Sequence, residues 1–257
     1  LSSELISADG ISLGKYFRYN RSNVSYDDLS NELVTTLISS EDHRFNNHSG
    51  IDFWGLLRAI YGTVTFNFAG GGSTLTMQLS ENLFKTMTET DGKLIGIKGI
   101  GPIIIKTKEW IIATQLEKYF TKKEILAMYL NTVSFGSNAF GIKAASETFF
   151  GKDPSELNYQ ESAVLVGLLQ AVTFYNPVRN YDNSIGKRNE VLRKVQRLGH
   201  ISLDSYDSLA NLPIDLSNYN VENQHQGLAT YFRSVIRNDL MNWCEENDYD
   251  LWEDGLK

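Results

Sequence analysis

Apolar residues recur along this chain mainly at spacings of three and four, the mark of helices that bury one face. In DDLSNELVTTLISSED, Leu29, Leu33 and Leu37 stand four apart behind Asp27 or Asp28 as candidate caps, which predicts a helix delivering Glu41 and Asp42 at its far end. The same spacing runs through DFWGLLRAIYG, STLTMQLSENLF, IIIKTKEWIIATQLEKYF, TKKEILAMYLN, AFGIKAASETFF, YQESAVLVGLLQ and GKRNEVLRKVQRL. Helices of uneven length, joined by short Gly- and Asn-containing turns and showing no repeat period, predict an irregular helical globule rather than a solenoid or a simple bundle. The start differs: residues 4–8 and 11–17 flank the turn pair Asp9-Gly10, which predicts a short β-hairpin.

Two segments break the helical rhythm. Residues 85–102, rich in Gly, Thr and Lys, read as a mobile loop, and residues 204–226, rich in Asn, Ser and Asp, read as a boundary. Beyond the latter, GLATYFRSVIRNDLMNWCEEN predicts a last amphipathic helix with Leu228, Phe232, Val235, Leu240 and Trp243 near one face. The expected organisation is an N-terminal hairpin and linker over 1–24, a helical domain over 25–203, and a linker or the start of a second domain over 204–257. No apolar run reaches the roughly 20 residues that span a bilayer. Because the sequence opens inside a predicted hairpin, a preceding segment is expected.

Composition narrows the functional classes. With 257 residues, 42% hydrophobic and 21% charged, the chain has the profile of a folded unit. A formal net charge of -7 lacks the positive field that long nucleic-acid contacts need, so nucleic acid is not an expected partner. The single cysteine, Cys244, excludes an internal disulfide and a cysteine-based zinc cage. His43 and His48 are five apart, the wrong spacing for a helical zinc pair.

Candidate chemistry concentrates in three clusters. In EDHRFNNHSGID, Glu41 and Asp42 leave a helix and are followed by Phe45, His48 and Gly50 before the next helix. A carboxylate there, partly screened by Phe45 and held by a turn around His48, suits a general base for a sugar hydroxyl. In AGGGSTLTMQLSENLF, three glycines precede Ser73 and Thr74 at the start of a helix carrying Gln78 and Asn82, and backbone N–H groups at such a start bind anions. From Lys106 to Glu124, lysines alternate with acids, and Lys106 and Glu109 lie one turn apart. Each cluster alone has an ordinary explanation: surface helix ends, a glycine cap, or solvated ion pairs.

Their order and wording together resemble the peptidoglycan glycosyltransferase family, the sugar-polymerising domain of bifunctional class A penicillin-binding proteins. The resemblance spans roughly residues 25 to 200. EDHRFNNHSGID is similar to the family's first motif, GGSTLTMQLSENL to its second, KTKEWIIATQLE to its third, and KKEILAMYLNTVSFGSNAFGIKAASETFFGK to its fourth with the following helix. ESAVLVGLLQAVTFYNPVRN and KRNEVLRKV resemble its closing region, with Arg188 in the place of a basic residue.

That resemblance implies a mainly α, lysozyme-like, two-lobed domain, with a head and a membrane-touching jaw. It implies polymerisation of lipid II into β-1,4-linked glycan, with inversion at the donor MurNAc and release of polyprenyl pyrophosphate. By position, Glu41 matches the proposed general base and Glu109 the second carboxylate, which organises the donor pyrophosphate or a bound divalent metal, Mg or Mn. No organic cofactor is implied. Asp42 would support Glu41, while Ser73, Thr74, Gln78 and Asn82 would line the cleft. Lys106, Lys123 and Arg188 would neutralise the leaving pyrophosphate. Expected partners are lipid II, the growing lipid-linked glycan, the bacterial membrane surface and other cell-wall synthesis proteins. The implied location is the extracytoplasmic face of the cytoplasmic membrane, held by an anchor in the full-length protein.

Three departures stand out. Met77 replaces a Gln of the second motif, Ile105 replaces the Arg before the third-motif Lys, and the connection over 85–102 is long. The helix DFWGLLRAIYG and the residues after it carry Phe53, Trp54, Ile60, Tyr61, Val64, Phe66 and Phe68, apolar surface for either a core or a membrane. The SIGK at 184–187 lies inside the closing region and no KTG follows, so it is not read as a transpeptidase motif. Two other readings stay open: a lytic muramidase of the same fold, and a catalytically silent scaffold.

Overall fold

A computed structural model describes residues 3–16, 22–65, 72–84, 100–221 and 230–247. Among them the chain is mainly helical. A hairpin of β1 (Ser3–Ile6) and β2 (Ser12–Tyr16) opens it, as the Asp9-Gly10 pair predicts, with Gly10 at φ 83° in the turn. Then come α1 (Asn31–Glu41), α2 (Phe53–Val64), α3 (Leu75–Phe84), α4 (Ile100–Tyr119) and α5 (Lys122–Thr132). A tight hairpin of β3 (Ser134–Gly136) and β4 (Ala139–Phe140) leads into α6 (Ile142–Phe150), α7 (Tyr159–Leu168), α8 (Tyr181–Arg197), α9 (Leu203–Asn211) and α10 (Thr230–Glu246).

The core forms around α7, whose residues Ser162 to Leu168 are all buried. A helix without a polar face belongs inside, and α7 is packed by α8, α1 and α6. From α1 come Leu33 and Leu37, from α3 Leu75 and Leu79, from α5 Ile125, Tyr129 and Leu130, and from α8 Val191 and Leu192. Local signals set the helix starts. Ser30 accepts from the Leu33 N–H at 3.1 Å, and Thr121 and Glu124 form a reciprocal capping box at α5.

Two sequence expectations are revised by the structure. The β3–β4 hairpin interrupts a region read as helical, turning through Ser137 and Asn138 at φ 49° and 61°. A boundary at 204 would cut α9, which packs on α8; Tyr206 and Ile214 lie in the main core. The first residues after Asp204 therefore continue the helical unit. Residues 85–99 of the long connection, Gly70 and Gly71 of the glycine run, Phe66 and Phe68, and residues 222–229 lie outside the described residues.

Helix α2 presents Phe53, Trp54, Leu57 and Tyr61 to solvent, each more than half exposed. Their spacing places them along one apolar stripe. Among the described residues no helix is long and apolar enough to cross a membrane.

Candidate functional site

Glu41 is the last residue of α1, and it opens into a cavity of about 880 Å³ between α1, α2, α3 and α8. Its carboxylate is surrounded by donors. Ser40 Oγ lies 3.3 Å from Oε1, Gln170 Nε2 lies 3.4 Å from the same oxygen, and Gln78 Nε2 lies 3.4 Å from Oε2. Around it the walls carry His43, Arg58, Lys194 and Arg197, with Glu190 as the other acid. Burial, reinforced by Arg58 and Arg44, holds His43 below the ordinary imidazole range against a smaller upward pull from Asp42. A carboxylate flanked by amides and a predominantly cationic rim suits a base acting beside a polyanion.

Asp42 turns the other way. It is buried and accepts from the Leu75 N–H at 3.1 Å, so it ties the end of α1 to the start of α3. Its carboxylate also meets His48 Nε2 at 3.0 Å, and His48 Nδ1 accepts from the Gly50 N–H at 3.2 Å. Lys122 reaches the same turn, donating to the His48 carbonyl and Glu117 at 2.7 Å with its ammonium 4.2 Å from the centre of the Phe45 ring. Gly50 sits at φ 93°, where a Cβ would come within 2.8 Å of the Ala113 backbone. The chain from Asp42 to Gly50 is thus a rigid bracket that aims Glu41 into the cleft.

The second cluster divides. Ser73 lines the cleft and accepts from Lys106 Nζ at 3.3 Å. Thr74 is buried: its hydroxyl donates to the Gly50 carbonyl at 2.6 Å and accepts from the Met77 N–H at 3.2 Å, so it caps α3 instead of facing the cleft. Asn82 is exposed on α3 and does not line the cavity. Met77, at the place expected to hold a Gln, is buried in the core.

The third cluster meets the second through Lys106, which also donates to Glu109 Oε2 at 2.6 Å. Glu109 is 1% exposed, and its Oε1 has no hydrogen-bond partner in the structure. A buried carboxylate oxygen without a partner is costly, so it is a candidate ligand position. Among the described residues no three His, Cys, Asp or Glu side chains converge on one point. The donor set fits magnesium or manganese only in the form where one carboxylate is joined by substrate phosphates.

Two expected cations are elsewhere. Lys123 points away, its ammonium 4.8 Å from the centre of the Tyr26 ring. Arg188 is fully buried, donating to the carbonyls of Leu212 at 2.6 Å and Ala210 at 2.8 Å, so it clamps the C-terminal end of α9 to α8. The cations that do line the cleft, Arg58 on α2 and Lys194 and Arg197 on α8, escape a reading by motif because they lie outside the three clusters. Gln170 escapes for the same reason, 129 positions from Glu41.

The sequence profile described as transglycosylase matches residues 9–196. The chain belongs to the transglycosylase family. Among its relatives, penicillin-binding protein 1A of Haemophilus influenzae is 32% identical over 248 residues, covering 96% of this chain and 27% of that protein. Penicillin-binding protein 1A of Escherichia coli is 32% identical over 255 residues, covering 99% of this chain and 28% of that protein. The transglycosylase chain described here thus spans little more than a quarter of these relatives. A crystal structure of the Haemophilus influenzae protein shares the fold, with a TM-score of 0.51 and 21% identity over 93% of this chain and 24% of that one.

Proposed function

We propose that this transglycosylase polymerises lipid II into glycan strands, with Glu41 as the general base. The observation that carries the reading is Glu41 in a cleft whose amides hold the carboxylate and whose rim is cationic. Glu41 takes the proton from the 4-hydroxyl of the acceptor GlcNAc. That oxygen attacks the anomeric carbon of the donor MurNAc from the face opposite the pyrophosphate. The bond to the pyrophosphate breaks, the anomeric centre inverts, and the polyprenyl pyrophosphate leaves carrying the extra negative charge.

Fixed cations at the leaving group lower that barrier by several kcal/mol, on the order of what one well-placed donor contributes. Arg58, Lys194, Arg197 and Lys106 are the candidates, in place of Lys123 and Arg188. Glu109 Oε1 is the protein oxygen for a divalent metal, which when bound would neutralise pyrophosphate charge. The exposed stripe of α2 lies against the bilayer and brings the cleft to a lipid-tailed substrate. The full-length protein is held at the extracytoplasmic face of the bacterial membrane, works with other cell-wall synthesis proteins, and continues after the helical unit into a further domain.

The test follows labelled lipid II with purified chain, detergent and magnesium, comparing the parent with Glu41→Gln by gel. Polymer from the parent and a rate lower by about a thousandfold in Glu41→Gln is the expected result. Shortening of added glycan would instead indicate a muramidase, and lipid II binding without turnover a silent scaffold.

A further inference from the structure

Glu41 is held by two amides, and an amide offers a donor on one arm and an acceptor on the other. The arm of Gln78 turned away from the carboxylate meets Tyr129 on α5. Its ring is buried, and its hydroxyl lies 2.8 Å from Gln78 Oε1. Burial, and then the nearby charge of Glu41, push the Tyr129 phenol far above its ordinary range, so it keeps its proton. In this arrangement the phenol donates to Gln78 Oε1, which leaves Nε2 to face Glu41 Oε2 at 3.4 Å.

We propose that Tyr129 is a positioning residue that acts through Gln78 to hold Glu41 as the ionised carboxylate. The proposal rests on the reading of Glu41 as the base. Donors on both oxygens favour the charged form, whereas a flipped Gln78 would present an acceptor and favour the protonated one. The other charged or titratable groups of the cleft are His43, Arg58, Glu190, Lys194 and Arg197, with Lys106 joined through Ser73. All of them remain in a Tyr129→Phe variant, so a comparison with the parent isolates the relay.

The experiment measures kcat/KM for lipid II polymerisation against pH in the parent, Tyr129→Phe, Gln78→Met and the double variant, after thermal melts establish that each is folded. Tyr129→Phe is expected to move the acid limb up by about half to one pH unit, with the plateau above it changed less than about twofold. Gln78→Met should move it the same way, and the double variant should match Gln78→Met alone, because Tyr129 acts through Gln78. An acid limb that stays in place in either single variant, or single effects that add in the double, would overturn the proposal. If Tyr129→Phe does not fold, Gln78→Met decides alone by the same limb.

A second readout separates this proposal from the assigned activity. The infrared band of the protonated Glu41 carboxyl, identified by its loss in Glu41→Gln, is titrated in the parent and in Tyr129→Phe. An upward-shifted titration in the variant upholds the relay even if the parent forms no polymer, an outcome that would remove the functional reading alone. An unshifted titration overturns the relay even if polymer forms.

Discussion

His43 shows how a single residue reports the state of the cleft. Burial, Arg58 and Arg44 depress its pKa, so at neutral pH the free protein holds it uncharged. Between its depressed folded value and about 6.5, the unfolded chain binds more protons than the folded one, so this imidazole makes stability rise with pH across that window. Acidification through it costs stability, and His43→Asn should flatten that slope in urea-unfolding midpoints. A pyrophosphate in the cleft reverses the local charge. Inorganic pyrophosphate should therefore move the NMR titration of the His43 ring upward, and an unmoved titration would place the anion outside the cleft. Gly50 is the second residue whose role is unambiguous: Gly50→Ala meets both a positive φ and the Ala113 backbone at 2.8 Å. It should cost about 1 to 3 kcal/mol, read from the urea midpoint.

Among the elements, α8 has two tasks on two faces. Lys194 and Arg197 look into the cleft, while Arg188 reaches the Ala210 and Leu212 carbonyls and pins the C-terminal end of α9. Arg188→Met removes the donors to the Leu212 and Ala210 carbonyls, of which Ala210 keeps Asn189 Nδ2 at 3.4 Å, and should cost about 1 to 3 kcal/mol in denaturant unfolding, with the KM of the folded enzyme for lipid II unchanged. A raised KM at unchanged stability would return Arg188 to the cleft. This division explains what a sequence discloses and what it conceals. Helix positions follow from apolar spacing, and Glu41, Asp42 and Glu109 are singled out by the ordered motifs in which they stand, because both signals are local to the chain. Thr74, Lys123 and Arg188 carry the right chemistry at the right distance along the chain, yet which way they point is set by packing. Thr74 turns into the cap of α3, and Lys123 sits one residue past the lysine that does reach the Phe45 turn. Gln170, Arg58 and Lys194 are contributed by elements that meet only in three dimensions. The β3–β4 turn is concealed for another reason: its strands are too short to show alternation, although Gly136 at φ 76° precedes Ser137 and Asn138 in left-handed backbone.

For the whole molecule, the α2 stripe is the surface proposed to lie against the bilayer. The chain carries a net charge of -7, so attraction to an anionic bilayer is not expected to hold it there. Binding must come from apolar burial of Phe53, Trp54, Leu57 and Tyr61, and it should change little with salt, unlike a polybasic anchor. Burying side chains of this size contributes about 1.5 to 3 kcal/mol each, and about 1.4 kcal/mol is a factor of ten in partitioning. Phe53→Ser with Leu57→Ser should therefore lower the partition into phosphatidylglycerol-containing vesicles by more than about tenfold while leaving the melting temperature within a few degrees, since both side chains are already exposed. Brominated acyl chains should quench Trp54 in the parent, and Trp54→Phe should lose that part of the quench. Partitioning that survives the double serine substitution, or that disappears in moderate salt, would mean that the bilayer is met by another surface and that α2 faces a protein instead.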